Sequence, residues 1–212
     1  MPTAFLFPGQ GSQRLGMRAA LAAHPAARDV FDAVDDALER PLSRLMDDGP
    51  EDELTLTRNA QPALMAVSIA AVRALETELG RPLAAVTDLV AGHSLGEYTA
   101  LTAAATFDVA TAARLLDLRG AAMQAAVPVG DGAMAALMGL DLPRVAALLA
   151  AVDGVVDIAN DNADGQVVVS GERAAVEAAV AAAREAGARR AAVLPVSAPF
   201  HCRLMRPAAE RM

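Results

Sequence analysis

The sequence predicts an α/β protein, with a large part built on a parallel sheet and a smaller inserted unit of β-α-β-β-α-β order. Three observations carry this reading. Short apolar runs alternate with longer amphipathic stretches through residues 1–126. One such run, residues 86–91, breaks into Gly92-His93-Ser94-Leu95-Gly96 immediately before an alanine-rich helical stretch. Between residues 127 and 196 the pattern changes to short strands separated by single helices.

Taken in order, residues 3–7 read as a first buried strand, closed by Pro8-Gly9-Gln10-Gly11-Ser12. A helical stretch carrying Met17, Leu21, Val30, Phe31 and Val34 follows, interrupted at His24-Pro25. Residues 40–59 are polar and acidic and read as a loop with one short helix. From Gln61-Pro62 a helical pattern runs through Leu64, Val67, Ala71, Val72 and Leu75 to Gly80. The elbow strand, the elbow helix and a helix capped by Asp108 then lead to about residue 126. In the second part, residues 133–140 predict a strand and 143–152 a helix. Residues 155–159 and 167–170 are strands around a polar turn at 160–165, and 172–186 form a helix before a last strand at 191–196. That order is the ferredoxin-like unit. The domain reading is therefore a large subdomain of residues 1–126 with 197–212, and a small one of residues 127–196.

Composition narrows the function. The chain has 212 residues, a net charge of −8 and 3% aromatic residues, a poor match to a nucleic-acid reader. All 18 basic residues are arginine, which excludes a lysine Schiff base or a Walker-type lysine within the chain. Cys202 is the only cysteine, so there is no disulfide framework and no cysteine metal cluster. The apolar start stops at Pro8-Gly9, too short for a signal peptide, and no run approaches the ~18 apolar residues of a membrane span. A soluble protein of a reducing compartment is expected.

Gly-x-Ser-x-Gly between a strand and a helix is the pattern of a nucleophile elbow. The two glycines let strand and helix backbones pass closely, and the hydroxyl of Ser94 projects at a helix N-terminus. The same residues also spell a capping box, Ser94-Leu95-Gly96-Glu97, in which serine merely caps the helix. A serine nucleophile needs a base. Of the three histidines, His24 reads as solvated. His93 neighbours Ser94 but points to the opposite side of an extended segment. His201, in the loop Ser197-Ala198-Pro199-Phe200-His201, is the better candidate. The loop Pro8-Gly9-Gln10-Gly11-Ser12-Gln13 can present the Gln10 N–H opposite the Leu95 N–H as an oxyanion hole. It can equally be a strand-ending turn, while its spacing does not fit a phosphate loop. Arg119 is either a solvated helix arginine or a fork for a carboxylate, with the small residues after it leaving room for a ligand.

Together, Phe7-Pro8-Gly9-Gln10-Gly11-Ser12-Gln13, Gly92-His93-Ser94-Leu95-Gly96-Glu97 and Ser197-Ala198-Pro199-Phe200-His201 resemble the malonyl-CoA:acyl-carrier-protein transacylase family. The likeness extends through Gln61-Pro62-Ala63, Arg119-Gly120 and Ile158-Ala159-Asn160-Asp161-Asn162, and so over essentially the whole chain. It implies a hydrolase-like core with a ferredoxin-like insert. It also implies transfer of a malonyl group from malonyl-CoA to the phosphopantetheine thiol of acyl carrier protein, in fatty acid or polyketide synthesis. By the same resemblance Ser94 is the nucleophile and His201 the general base and acid. The Gln10 and Leu95 N–H groups form the oxyanion hole, Arg119 binds the malonyl carboxylate, and Gln61 and Asn162 line the pocket. Phe200 before the histidine and Leu95 after the serine are similar to the malonyl-selecting members. No cofactor or metal is implied, the thioester being a substrate. A cytoplasmic monomer is expected, with malonyl-CoA and acyl carrier protein as partners and neither nucleic acid nor membrane.

Family members continue well past the histidine motif, so a chain ending at Met212 reads as truncated. Met1 directly before the first strand favours a free-standing enzyme. Two rivals stand beside this reading. One is a patatin-like lipid acyl hydrolase using a Ser94/Asp131 dyad, since Asp131-Gly132-Ala133 matches its signature. The other is a non-catalytic fragment that keeps the fold.

Overall fold

Strand β1 (Ala4–Phe7) pairs in parallel with β2 (Leu89–Gly92), and the register Phe7↔Gly92 sets the end of the first strand beside the start of the elbow. The computed structural model describes residues 2–212. Their contacts divide them into two compact units, one up to Ala121 and the other Ala122–Met212.

The first unit continues from β1 into helices α1 (Pro25–Leu38), α2 (Leu42–Asp48), α3 (Glu51–Thr55) and α4 (Thr57–Leu79). A 3₁₀ turn (Leu83–Ala85) leads to β2, then α5 (Leu95–Ala103) and α6 (Val109–Ala126), within which the division falls. α1 starts with proline at its first position, where the missing N–H is not needed. It buries Ala27, Val30, Phe31 and Val34, the three-and-four spacing of one helical face. Asp108 caps α6 by accepting from the Thr111 N–H at 2.6 Å. Phe31, Met46, Leu54, Met65, Ile69, Leu95 and Leu116 fill one core between these helices. A smaller cluster of Phe7, Val72, Leu83 and Ala100 holds the strands.

Three expectations are corrected here. Residues 40–59 hold two short helices, α2 and α3, rather than a loop with one, because Leu42, Met46 and Leu54 are drawn into the core. α4 starts a turn before Gln61, at Thr57, and keeps Pro62 inside it, where the missing N–H forfeits one backbone bond. The buried face of that long helix offsets the loss. The first strand is only partly buried: Phe7 faces inward and Leu6 is exposed, since alternate residues of a strand face opposite sides.

The second unit carries β3 (Gly132–Met138), α7 (Leu142–Leu149), β4 (Val156–Ala163), β5 (Gln166–Glu172), α8 (Arg173–Glu185) and β6 (Arg190–Val193). A 3₁₀ turn (Arg203–Met205) and α9 (Arg206–Ala209) end it. The strands lie in the order β4-β5-β3-β6, every neighbouring pair antiparallel. Leu137, Val167 and Val169 face α7 and α8 on one side of this sheet. On the other side Met134 and Val168 meet Ala198, Phe200, Met205 and Ala208. That packing places residues 197–212 with the second unit by contact. The expected bounds instead attached them to the first and cut the chain after residue 126.

The polar stretch 160–165 is also not a six-residue turn. Asn160, Asp161 and Ala163 pair with Val168, Val167 and Gln166, so β4 runs to Ala163 with two register shifts. Cross-strand pairing overrides the weak strand propensity of Asn and Asp. The turn itself is Asp164-Gly165, and Gly165 takes the positive φ of 69° that an Asp-Gly hairpin needs.

Candidate functional site

Ser94 sits at the tip of the strand-to-helix turn with φ 55° and ψ −111°, a conformation costly for a residue with a Cβ. The turn is closed by Gly96 N–H donating to the His93 carbonyl at 2.9 Å and Glu97 N–H to the Ser94 carbonyl at 3.1 Å. A Cβ on Gly92 would stand 1.9 Å from the Gly96 carbonyl carbon, and one on Gly96 would stand 2.5 Å from the Phe7 carbonyl oxygen. Only glycine fits at either position. The Ser94 side chain makes no capping bond to α5, so the capping-box alternative is not realised. Leu95 is the first residue of α5, and its N–H belongs to the set that a helix leaves without internal acceptors.

The serine hydroxyl instead meets a guanidinium. Arg119 Nη2 donates to Ser94 Oγ at 3.2 Å, and Nη1 donates to Gln61 Oε1 at 2.6 Å. Gln61 is fully buried on α4, and Arg119 is half-buried on α6. The Arg119 guanidinium also lies over the Tyr98 ring, 5.7 Å from its centroid. Burial pushes its pKa down, and Tyr98 and Glu97 oppose the shift. Arginine nonetheless stays charged at any working pH. The Gln10 side chain reaches the same region of α4, donating to Thr57 Oγ1 at 3.3 Å. Ser94, Arg119 and Gln61 are thus bonded together, and Gln10 is tied one turn before Gln61.

The second unit holds the other candidates. Phe200 is buried in the cluster behind the sheet, and His201 follows it with a positive φ of 59°. The segment is pinned on both sides of the histidine. Gln124 Nε2 donates to the Ser197 carbonyl at 3.4 Å, and Cys202 Sγ donates to the Pro199 carbonyl at 3.1 Å. The Arg203 N–H donates to Asp157 Oδ2 at 2.8 Å, and its side chain pairs with the same carboxylate. Asn162 lies exposed near the end of β4 rather than in a turn. Asp131 sits in an exposed turn, its N–H donating to the Pro128 carbonyl at 3.2 Å and its carbonyl accepting from Arg173 N–H at 2.8 Å.

One reason offered for the small residues after Arg119 is corrected. Gly120 makes room for a helix, not a ligand: a Cβ there would stand 2.6 Å from Arg58 Cα and 2.7 Å from the Thr57 carbonyl oxygen. Sequence reading also passed over Thr57 and Tyr98. Tyr98 was accessible by spacing, four residues after Ser94 on the elbow helix. Thr57 carries no such signal, because its partner Gln10 is distant in the chain. Among the described residues no group of three or more His, Cys, Asp and Glu is arranged to hold a metal ion. No helix of the described residues is long and apolar enough to cross a membrane.

A glycine-bracketed serine on a strained turn with a cation on its hydroxyl defines an acyl-transfer class of site. The chain belongs to the acyl transferase domain family, whose model matches residues 4–212. It is 48% identical over 212 residues to the malonyl CoA-acyl carrier protein transacylase of Escherichia coli K12, covering 99% of this chain and 67% of that protein. It is 47% identical to the protein of the same description from Bacillus subtilis 168, covering 99% of this chain and 66% of the relative. Among solved structures, an acyl-carrier-protein-S-malonyltransferase from Bartonella henselae superposes with a TM-score of 0.95 at 56% identity, covering all of this chain and 68% of that one. A type II PKS acyl-carrier protein in complex with its malonyl-transacylase also matches, with a TM-score of 0.93, 46% identity, and coverage of 100% of this chain and 68% of that one. The chain therefore spans about two thirds of the length of these relatives.

Proposed function

We propose that this chain is a malonyl-CoA:acyl-carrier-protein S-malonyltransferase. The observation that carries the reading is the bonded set of Ser94, Arg119 and Gln61 at a strained elbow. In this reading Ser94 Oγ attacks the thioester carbonyl of malonyl-CoA while His201 takes its proton. The C–S bond breaks, His201 returns the proton to the departing CoA thiolate, and the malonyl group remains as an ester on Ser94. The phosphopantetheine thiol of acyl carrier protein then gives its proton to His201 and attacks that ester, and His201 reprotonates Ser94. The Gln10 and Leu95 N–H groups stabilise the oxyanion of each tetrahedral intermediate. Arg119 holds the malonyl carboxylate, Gln61 orients Arg119, and Asn162 and Phe200 border the acyl pocket.

The finer fold assignment belongs to the same proposal. The β-α-β-β-α-β order with strands β4-β5-β3-β6 supports a ferredoxin-like small subdomain over residues 127–196. The parallel β1–β2 pair feeding an elbow supports a hydrolase-like core in the first unit. A cytoplasmic monomer needing no cofactor beyond its thioester substrate completes the reading. The Ser94/Asp131 hydrolase is not carried forward, because Asp131 serves a turn and the family matched is that of acyl transferases.

Intact-mass analysis after mixing with malonyl-CoA tests the proposal. A malonyl adduct is expected on the wild-type chain, none on Ser94→Ala, and a strongly slowed one on His201→Ala, with Asp131→Asn unaffected. A wild-type chain that takes no acyl group overturns the reading. An inactive Asp131→Asn beside an active His201→Ala returns the case to the hydrolase.

A further inference from the structure

Two arginines from different parts of the chain converge on one carboxylate beside the Arg119 site. Asp117 on α6 accepts from Arg40 Nη2 at 2.7 Å and from Arg58 Nε at 2.9 Å and Nη2 at 3.3 Å. Arg40 Nη1 also donates to Asn59 Oδ1 at 2.5 Å, and Asn59 Nδ2 donates in turn to the Glu53 carbonyl at 2.7 Å. Burial raises the Asp117 carboxyl, but the bonds and charges of Arg58 and Arg40 more than reverse this, so its pKa lies below the usual carboxylate range. The carboxylate is thus ionised and satisfied on both oxygens.

The residues gathered by Asp117 share one address. Arg58 and Asn59 form the first turn of α4, and Gln61 follows Arg58 by three residues, on the same side of that helix. On α6, Gly120 follows Asp117 by three residues and admits the α4 backbone at Thr57 and Arg58. Between these two anchors, Arg119 bonds Gln61 at 2.6 Å. An arginine side chain has many rotamers, and holding one of them needs fixed partners. Gln61 is such a partner only while the first turn of α4 keeps its register against α6.

We infer that Asp117, clamped by Arg40 and Arg58, is a positioning residue that locks the first turn of α4 against α6 and so holds Gln61 where it aims the Arg119 guanidinium. The inference rests on the proposed role of Arg119 toward the malonyl carboxylate. Its consequence is selective. A guanidinium displaced from its fork geometry loses the bidentate advantage toward a carboxylate. An acetyl group has no carboxylate and is indifferent to that displacement. A merely structural role for Asp117 would lower the amount of folded protein and leave the preference between the two acyl groups untouched.

The test is competition between malonyl-CoA and acetyl-CoA on the full chain, read as the ratio of acyl masses on Ser94. Asp117→Asn should lower the malonyl-to-acetyl ratio about tenfold, short of the roughly hundredfold that a 1 Å misplacement can cost. Arg58→Gln, at a more exposed partner, should lower it less, and Asp117→Glu should restore part of the loss. Arg119→Ala is the control. If it lowers the ratio while Asp117→Asn and Arg58→Gln leave it at the wild-type value, the inference is overturned and the proposed function stands. If Arg119→Ala itself leaves the ratio unchanged, the role of Arg119 fails, and the inference with it. Should Asp117→Asn not fold, Arg58→Gln decides. Modification of Arg119 by phenylglyoxal, followed by peptide mass, gives a readout that needs no acyl transfer. It should quicken in Asp117→Asn and Arg58→Gln, and an unchanged rate in both overturns the inference.

Discussion

Arg119 Nη2 donates to Ser94 Oγ at 3.2 Å and its Nη1 donates to Gln61 Oε1 at 2.6 Å, so a single guanidinium bridges the elbow hydroxyl and the buried amide. A buried carboxylate without a counter-charge is prohibitive, and a malonyl ester on Ser94 would bring one within the span of a three-carbon chain. Arg119 is half-buried and in contact with the Ser94 hydroxyl, with the Tyr98 ring against its guanidinium.

The first prediction follows from that contact. Arg119→Ala should lose malonyl transfer and retain or gain acetyl transfer from acetyl-CoA. Hydrogen bonds to a charged group contribute about 1.5–3 kcal/mol, or roughly one to two decades of discrimination. Arg119→Lys should fall between, because an ammonium cannot reproduce the planar fork. Steady-state rates with each thioester check this. An unchanged preference in Arg119→Ala would make the arginine an ordinary structural residue.

Gly92 and Gly96 meet so closely that neither can carry a Cβ. Gly92→Ala would place that atom 1.9 Å from the Gly96 carbonyl carbon, backbone against backbone, with no flexible side chain to yield. The strand and helix must then separate, which costs on the order of 2–4 kcal/mol by overpacking and backbone strain. A lower thermal unfolding midpoint and no acyl adduct on Ser94 are expected. A variant with wild-type stability would mean that the elbow relaxes without cost.

Much of this was legible before the structure. The elbow follows from residue types, because a sharp strand-to-helix turn leaves few choices at Gly92 and Gly96, and the helix cap at Asp108 follows from local chemistry. What escaped was set by distant partners. β4 extends through Asn160 and Asp161 because β5 lies alongside, and Gly120 is small because α4 crosses it. The Arg40–Asp117–Arg58 cluster joins residues far apart in the chain, and no spacing rule announces it. Short helices α2 and α3 were hidden by acidic residues on their solvent faces, while the buried leucines and methionine that define them are few.

A further prediction concerns acid. The Arg203 side chain lowers the pKa of Asp157, burial opposes this, and the Arg203 N–H and charge add to the lowering, which prevails. A carboxylate whose folded pKa lies below its unfolded value of about 3.9 stabilises the fold fully above that value, and the contribution is lost as pH falls through the folded pKa. Asp157→Asn should therefore lower the unfolding midpoint at pH 6, with the gap to wild type closing toward pH 3. Arg203 is largely solvent-exposed and Asp157 only partly covered, so the gap will be small and should shrink with salt. An equal gap at both pH values would assign the loss to the hydrogen-bond geometry rather than to charge.

The last prediction concerns the carrier protein. Acyl carrier proteins are acidic and this chain carries a net charge of −8, so docking needs a local basic patch against general repulsion. Arg184, Arg189, Arg190, Arg203 and Arg206 form a cluster of arginines in sequence around the His201 loop. The structure sorts them. Arg184 donates to the Ala191 carbonyl at 2.9 Å, Arg206 pairs with Glu210 at 2.9 Å, and Arg203 is engaged by Asp157. Arg189 and Arg190 are exposed where the chain enters β6, so reversal there leaves those pairs intact. Arg189→Glu with Arg190→Glu should slow transfer to the carrier protein about three- to tenfold at low salt, and less at high salt, while acylation by malonyl-CoA is unchanged. Arg203→Glu is the contrasting variant: it sets two carboxylates face to face at Asp157, so it should also destabilise the segment around His201 and slow both half-reactions. If the double reversal slows both half-reactions equally, Arg189 and Arg190 serve the fold or the thioester site, and the carrier protein docks elsewhere.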